Sequence, residues 1–400
     1  MNTKKQHISQ GIKVVTLARS IRWFGWGMCE TLIPVLLFSF SHSYVEAGIF
    51  RSIYDVIFLL SLPFVSVLAD KIPAKRLILF ALALYPLIGV SYFVAGAVGT
   101  AFFIVLARAV NGITWCCDSV GGDTYLRRFA INEHLSKTFG YLSALPNFSW
   151  MIAALISILF LPFLPIQYLF LAIVPTSLIA YFVLKQAPSD EVPLREKPPQ
   201  QYLKDLTDSF KGIRSWKMEI WGLAYLTFFV ACIDLLGTFF VPLFTYTESN
   251  NLVHVVLITV AFATPSAFAF YFGAFIDRVS KGVFITGSFL LAAILFGGLS
   301  FTSGYILQII GVFILGMLIV CVTLAVQTLV TKASSREHYG KVGGLMAGAD
   351  ELGAVIGPIA IGFLADGSGM HITFLILGAF ALITALGFFF CISNSDILRA

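Results

Sequence analysis

Apolar residues run in blocks of twenty or so along almost the whole chain, broken by short polar stretches. The blocks fall at about 14–40, 48–69, 77–97, 101–124, 139–161 and 167–184, then at 218–244, 252–275, 282–300, 305–330, 342–364 and 372–391. The hydrocarbon of a bilayer takes about 20 residues of helix to cross. Backbone polar groups at that depth must bond internally, which suits a helix. The pattern therefore predicts twelve transmembrane helices, called spans 1–12 below. The polar stretch 185–217 divides them, so the predicted architecture is all-α, with one six-helix bundle over 1–184 and a second over 218–400. The stretch begins Pro-rich and charged, as a linker would. It ends with Leu203, Leu206, Phe210, Ile213 and Trp216 at helical spacing among charges, which predicts an amphipathic helix lying on the membrane surface.

Composition supports the bilayer reading. Of 400 residues, 58% are hydrophobic and 12% charged, with 39 Phe. A soluble chain carries roughly 25% charged residues. The net charge of +5 does not indicate a nucleic-acid partner, because its carriers are topology signals. Apart from Arg22, Arg51 and Arg108, the 26 Lys and Arg sit at the N-terminus, in alternate loops, at helix ends on the same side, or at the C-terminus. The loops on the other side (41–47, 98–100, 162–166, 245–251, 301–304 and 366–371) contain none. The positive-inside rule then puts both termini and the central loop in the cytoplasm of a protein of the inner or plasma membrane. The basic N-terminus precedes a long apolar run with no small-residue cleavage site after it, which predicts an uncleaved first span. The six Cys lie in apolar segments without CxxC or zinc-type spacing, and read as small buried residues.

The halves repeat. Glu133-His134-x-x-Lys137-x-x-Gly140 returns as Glu337-His338-x-x-Lys341-x-x-Gly344, and Asp123-Thr124 is matched by Gln327-Thr328. Asp70 after span 2 is matched by Asp277 after span 8, and Pro34 by Pro242. Parallel six-helix repeats are a transporter architecture, because two similar bundles can rock and expose a site to one side of the membrane at a time.

On these residues the chain resembles the major facilitator superfamily. The family's loop between helices 2 and 3 reads roughly G-x-x-x-D-R-x-G-R-K. Here it is Ser66-x-x-x-Asp70-Lys71-x-Pro73-Ala74-Lys75-Arg76, and the second copy, Gly273-x-x-x-Asp277-Arg278-x-Ser280-Lys281, is closer. Arg108-x-x-Asn111-Gly112 in span 4 resembles the family's R-x-x-Q-G. Gly27 followed by Pro34-Val35 is weakly similar to the signature of twelve-helix drug:proton antiporters. The antiporter GxxxGP pattern is missing from span 5, which has only Pro146-Asn147, while span 11 carries Gly353-x-x-x-Gly357-Pro358-x-x-x-Gly362. The resemblance implies that Asp70, Lys71, Asp277 and Arg278 form a cytoplasmic gate. A partly desolvated pair of this kind, with a helix-dipole contribution, is worth about 1–2 kcal/mol.

Ionisable side chains within a bilayer are costly and mark function. Arg22, Trp26, Glu30 and Pro34 recur every four residues on one face of span 1. Arg108, Asn111, Trp115, Asp118 and Gly122 share a face of span 4. At 1.5 Å per residue, Glu30 lies roughly 15 Å from the outer helix end, and Asp55 and Arg108 each roughly 10 Å. Arg108 is therefore expected to pair with Glu30 or Asp55. Such a carboxyl feels two opposed influences, desolvation and the arginine, and alternate solvent access could switch between them to couple protons. Asp234, Gln327 and Glu351 are the corresponding candidates in the second half, with Asp350 adjacent. Trp26, Trp115 and Tyr225 could line a substrate cavity.

There is no GxxxxGK[ST], HExxH or nucleophile elbow, and the six His do not cluster. The sequence therefore predicts no enzyme, no cofactor and no metal. The expectation is a secondary transporter working as a single chain in a lipid bilayer, with protons and a small organic solute as partners. Acids and aromatics without Asn/Gln clusters tip the reading to export of a partly apolar compound. An uptake symporter or facilitator for a metabolite is the alternative, and a membrane-embedded enzyme or a receptor fits less well.

Overall fold

The computed structural model describes residues 2–129, 135–189, 218–276, 278–302, 304–333 and 339–393. The central loop with its predicted amphipathic helix, the Glu133-His134 and Glu337-His338 repeats, and Asp277 lie outside the described residues. Every regular element among the described residues is helical. Among the described residues ten helices are long and apolar enough to cross a membrane, and shorter apolar helices at Ala144–Ser157 and Leu252–Ala267 fall on predicted spans 5 and 8. Large apolar side chains cover the exterior: Phe64 is 78% exposed and Phe163 81%, as lipid-facing residues would be.

The chain divides into two compact units. Unit 1 is Met1–His42, Ile49–Arg195 and Thr245–Val260; unit 2 is Ser43–Gly48, Glu196–Phe244 and Ala261–Ala400. In unit 1, span 1 packs on spans 5 and 6, and span 3 on spans 4 and 6. In unit 2, span 7 packs on span 11, and span 9 on spans 10 and 12. The pairs 1–5 and 7–11, 3–6 and 9–12, and 3–4 and 9–10 correspond, so the repeat seen in sequence is a repeat of neighbours.

Small residues let backbones meet. A Cβ on Gly27 in span 1 would run into the Trp150 backbone of span 5. One on Gly353 in span 11 would stand 2.5 Å from the Phe228 carbonyl of span 7. At one end of unit 2, Asp366 of span 11 caps the start of span 2. Its carboxylate accepts from the Ser43 hydroxyl (2.6 Å) and from the Tyr44 and Val45 N–H groups (both 2.9 Å).

Span 1 is not continuous. A helix over Asn2–Gly27 gives way to a 3₁₀ turn, Glu30–Leu32, before helix resumes at Ile33–Ser41. Pro34 explains the break. It has no N–H to offer the Glu30 carbonyl, and its ring crowds that oxygen. The Ile33 N–H bonds the Glu30 carbonyl instead. Glu30 thus opens the irregular turn. Span 7 is also interrupted, by a π-turn at Leu236–Phe240 just after Asp234. Such turns often mark functional positions.

Candidate functional site

The interior of unit 1 holds two charge clusters. The first joins spans 1, 3 and 4. Asp118 Oδ2 lies 3.1 Å from Arg22 Nη2 and 3.5 Å from Arg19 Nη2, with Arg22 and Asp118 side chains 5% and 3% exposed. Arg19 also donates to the Asp118 carbonyl at 2.8 Å. Its guanidinium fits because residue 122 is glycine; a Cβ added there would collide with it. Arg22 donates to the Tyr85 hydroxyl and lies 4.9–5.6 Å from the ring centroids of Tyr85, Trp115 and Trp23. Arg22 Nε and Nη2 and Asp118 Oδ1 remain without hydrogen bonds, so the pair is held by charge more than by alignment.

The second cluster joins spans 1, 2, 4 and 5. Arg51 Nη1 meets Asp55 Oδ2 at 2.5 Å, one helical turn apart. Arg108 donates to the Arg51 carbonyl at 2.6 Å. Tyr54 lies against both guanidiniums, with Arg51 5.3 Å and Arg108 5.0 Å from its ring centroid. Glu30, half-buried at the break in span 1, accepts from Trp150 Nε1 at 2.6 Å, and Trp26 lies beside it. Arg51 and Arg108 both act electrostatically on Glu30.

The expected pairing of Arg108 with Glu30 or Asp55 is corrected by this geometry. Arg51 holds Asp55, because an arginine one turn earlier on the same helix reaches the carboxylate without crossing between spans. Arg108 is anchored on a backbone oxygen. Asn111 and Asp118 are buried on the polar face of span 4, as the spacing required, and Trp26 and Trp115 are half-buried. Arg19, Tyr85, Tyr54 and Trp150 were not foreseen. The four-residue spacing of Arg51 and Asp55 could have disclosed that pair from sequence.

Unit 2 assembles its candidates less closely. Asp234 and Gln327 are exposed and Glu351 is half-buried. Tyr225 bonds Thr384 of span 12 at 3.0 Å and stacks on Phe229. Nine residues separate Tyr225 from Asp234, or 2.5 turns, so the two lie on opposite faces of span 7. Tyr225 therefore belongs with span 12 rather than with Asp234. Of the gate residues, Lys71 ends span 2 and is exposed, and Arg278 is exposed in the turn before span 9, while the Asp70 side chain is outside what is described. Lys75 of the same loop donates to the carbonyls of Lys185 (2.8 Å) and Ala187, capping the C-terminus of span 6.

Two helical bundles with matching neighbours and charges buried at mid-span have the architecture of a membrane solute transporter. The sequence profile of the Major Facilitator Superfamily matches residues 15–253 and 246–396, and the chain belongs to that family. The nucleoside transporter NupG has a similar fold: TM-score 0.76 at 14% identity, covering 95% of this chain and 98% of that one. The human organic anion transporter MFSD10 gives 0.65 at 14% identity over 95% and 99%. A POT family transporter in complex with 5-aminolevulinic acid gives 0.74 at 12% over 96% of each. At these identities the likeness concerns the fold. No curated protein sequence matches the chain.

Proposed function

We propose that the protein is a proton-coupled carrier that moves a small organic solute by alternating access, with Glu30 as the coupling carboxyl. The observation that carries this reading is the position of Glu30. It is a half-buried acid at a break in span 1, held by an indole N–H and within the field of two arginines. A carboxyl so placed gains or loses its proton according to which side admits water, and its neighbours respond to the change. Asp55, Arg108, Asn111 and Asp118 complete the polar pathway of unit 1. Asp234, Gln327 and Glu351 supply that of unit 2. Asp70, Lys71, Asp277 and Arg278 act as the cytoplasmic gate, both termini face the cytoplasm of the inner or plasma membrane, and a single chain suffices.

Export by antiport keeps the preference, since the pathway is rich in acids and aromatics. Uptake by symport is the second reading. The observation favouring it is the local balance of Arg51 and Arg108 against Glu30 and Asp55: protonating Glu30 frees positive charge for an anionic solute that would travel with the proton. The test is proton flux in energised inside-out vesicles with an internal pH dye, adding a panel of metabolites and lipophilic compounds. A compound that collapses the gradient with the wild type and not with Glu30→Gln supports the assignment. Solute equilibration through liposomes without proton movement would refute it.

A further inference from the structure

Glu30 is held by indoles although two arginines stand near it. Trp150 Nε1 of span 5 donates to Glu30 Oε2 at 2.6 Å, and Trp26, one turn earlier on span 1, acts on the same carboxylate as a second hydrogen-bond donor. Arg51 and Arg108 act on Glu30 only through their charge. Each guanidinium is engaged elsewhere. Arg51 meets Asp55 at 2.5 Å, and Arg108 donates to the Arg51 carbonyl at 2.6 Å and has the Tyr92 hydroxyl beside it.

The place of Trp150 is imposed by the crossing of spans 1 and 5. Gly27 lets the two backbones meet there, since a Cβ on it would stand 2.3 Å from the Trp150 carbonyl oxygen. The Ser149 hydroxyl donates to the Ser20 carbonyl at 2.7 Å, which ties span 5 to span 1 about two turns further along. Trp150 is 7% exposed, so packing leaves its indole little room to turn away. Glu30 opens the 3₁₀ turn of span 1, and the indole N–H meets it at that turn.

The kind of donor decides what the carboxyl can do. An indole has one N–H, carries no charge and accepts nothing. It can donate to a carboxylate oxygen or to the carbonyl oxygen of the neutral acid, so the bond survives in either state. A guanidinium in direct contact favours the carboxylate alone. A proton carrier needs the first kind of partner, one that keeps its place while the charge changes.

We propose that Trp150 is the positioning residue of the coupling carboxyl: its N–H, with that of Trp26, holds Glu30 in both protonation states and keeps it from closing onto Arg51 and Arg108. The proposal rests on the proton-coupled reading above and names the side chains that let Glu30 load and release its proton. Trp150 is no proton acceptor and acts only through Glu30.

The experiment takes infrared difference spectra between acid and alkaline buffer, with the full-length protein in liposomes. A carboxyl that protonates over that range gives a C=O band, and losing a hydrogen bond on the carbonyl moves the band. Absence in Glu30→Gln assigns it to Glu30. Two variants remove the donor. Trp150→Phe keeps a ring. 3-Benzothienylalanine at position 150 keeps the shape of tryptophan and lacks only the N–H, so it serves if the phenylalanine variant does not fold. Both are expected to remove the Glu30 band from its wild-type position. In the vesicle assay, proton flux with a compound active in the wild type is expected to fall at least about tenfold in both, the size of a hydrogen bond to a charged group. Exchange of that compound without a gradient should persist, which a general loss of structure would not allow. An unmoved Glu30 band in both variants, or proton-linked flux that needs Glu30 and survives without the Trp150 N–H, would overturn the proposal and leave the transport reading standing. A band that depends on both Glu30 and Trp150, with no compound linked to proton flux, would remove the transport reading and leave the positioning role. No Glu30 band in the wild type would overturn both.

Discussion

Unit 1 and unit 2 repeat the same neighbours, with span 1 on span 5 as span 7 is on span 11, but they bury different chemistry. Four arginines and four carboxylates sit within the spans of unit 1, and all of them but Asp123 are drawn into two clusters. Residues 219–277, 282–331 and 342–393 contain no Lys or Arg at all. The second half answers the charges of the first with acids on exposed or half-exposed positions and an irregular turn in span 7. The lesson is that duplication preserved what packs helices together, namely apolar length and small residues at crossings. Charge, which costs energy in a bilayer wherever it is placed, is concentrated in unit 1.

That contrast can be broken most severely at Asp118. Asp118→Leu strands Arg22 and Arg19 in a dry interior and should cost about 3–5 kcal/mol, read as a loss of thermal stability in detergent. Adding Arg22→Met should recover much of the loss, because the uncompensated charge goes with it. Asp234→Asn in the other unit replaces an exposed group and should change stability by about 0.5 kcal/mol or less. Equal losses at the two positions would contradict the difference between the units. The shared packing provides the control. Gly27→Ala and Gly353→Ala both press a methyl on a neighbouring backbone and should each cost about 1–3 kcal/mol, alike in the two units. An effect at or below the low end of the glycine range is expected at Asp366. Asp366→Ala removes the acceptor for the Tyr44 and Val45 N–H groups and should cost about 1 kcal/mol in the same thermal assay.

Much of this was legible in the sequence. Hydropathy placed the spans to within a few residues, since crossing a bilayer demands apolar length whatever the partners are. The polar face of span 4 followed from spacing alone. The pairings were not legible. That Arg22 meets Asp118, and that Trp150 reaches Glu30, depends on how spans 1, 4 and 5 rotate about their axes, which a periodic pattern leaves free. Arg51 was passed over as a residue at the start of span 2, although its spacing from Asp55 pointed to a local pair. The break at Glu30 was also open to prediction, because Pro34 lies four residues on and a proline disturbs the carbonyl four residues before it.

The central proposal is that Glu30 couples transport to protons and that Asp234 of span 7 does not. The most direct measurement compares Glu30→Gln and Asp234→Asn in proteoliposomes, once a transported solute is in hand, by solute exchange at equal pH and by accumulation driven with a proton gradient. The account predicts that Glu30→Gln keeps exchange and loses driven accumulation, while Asp234→Asn changes the two in the same proportion. Loss of both activities together in Glu30→Gln, or driven accumulation that survives it, would contradict the account.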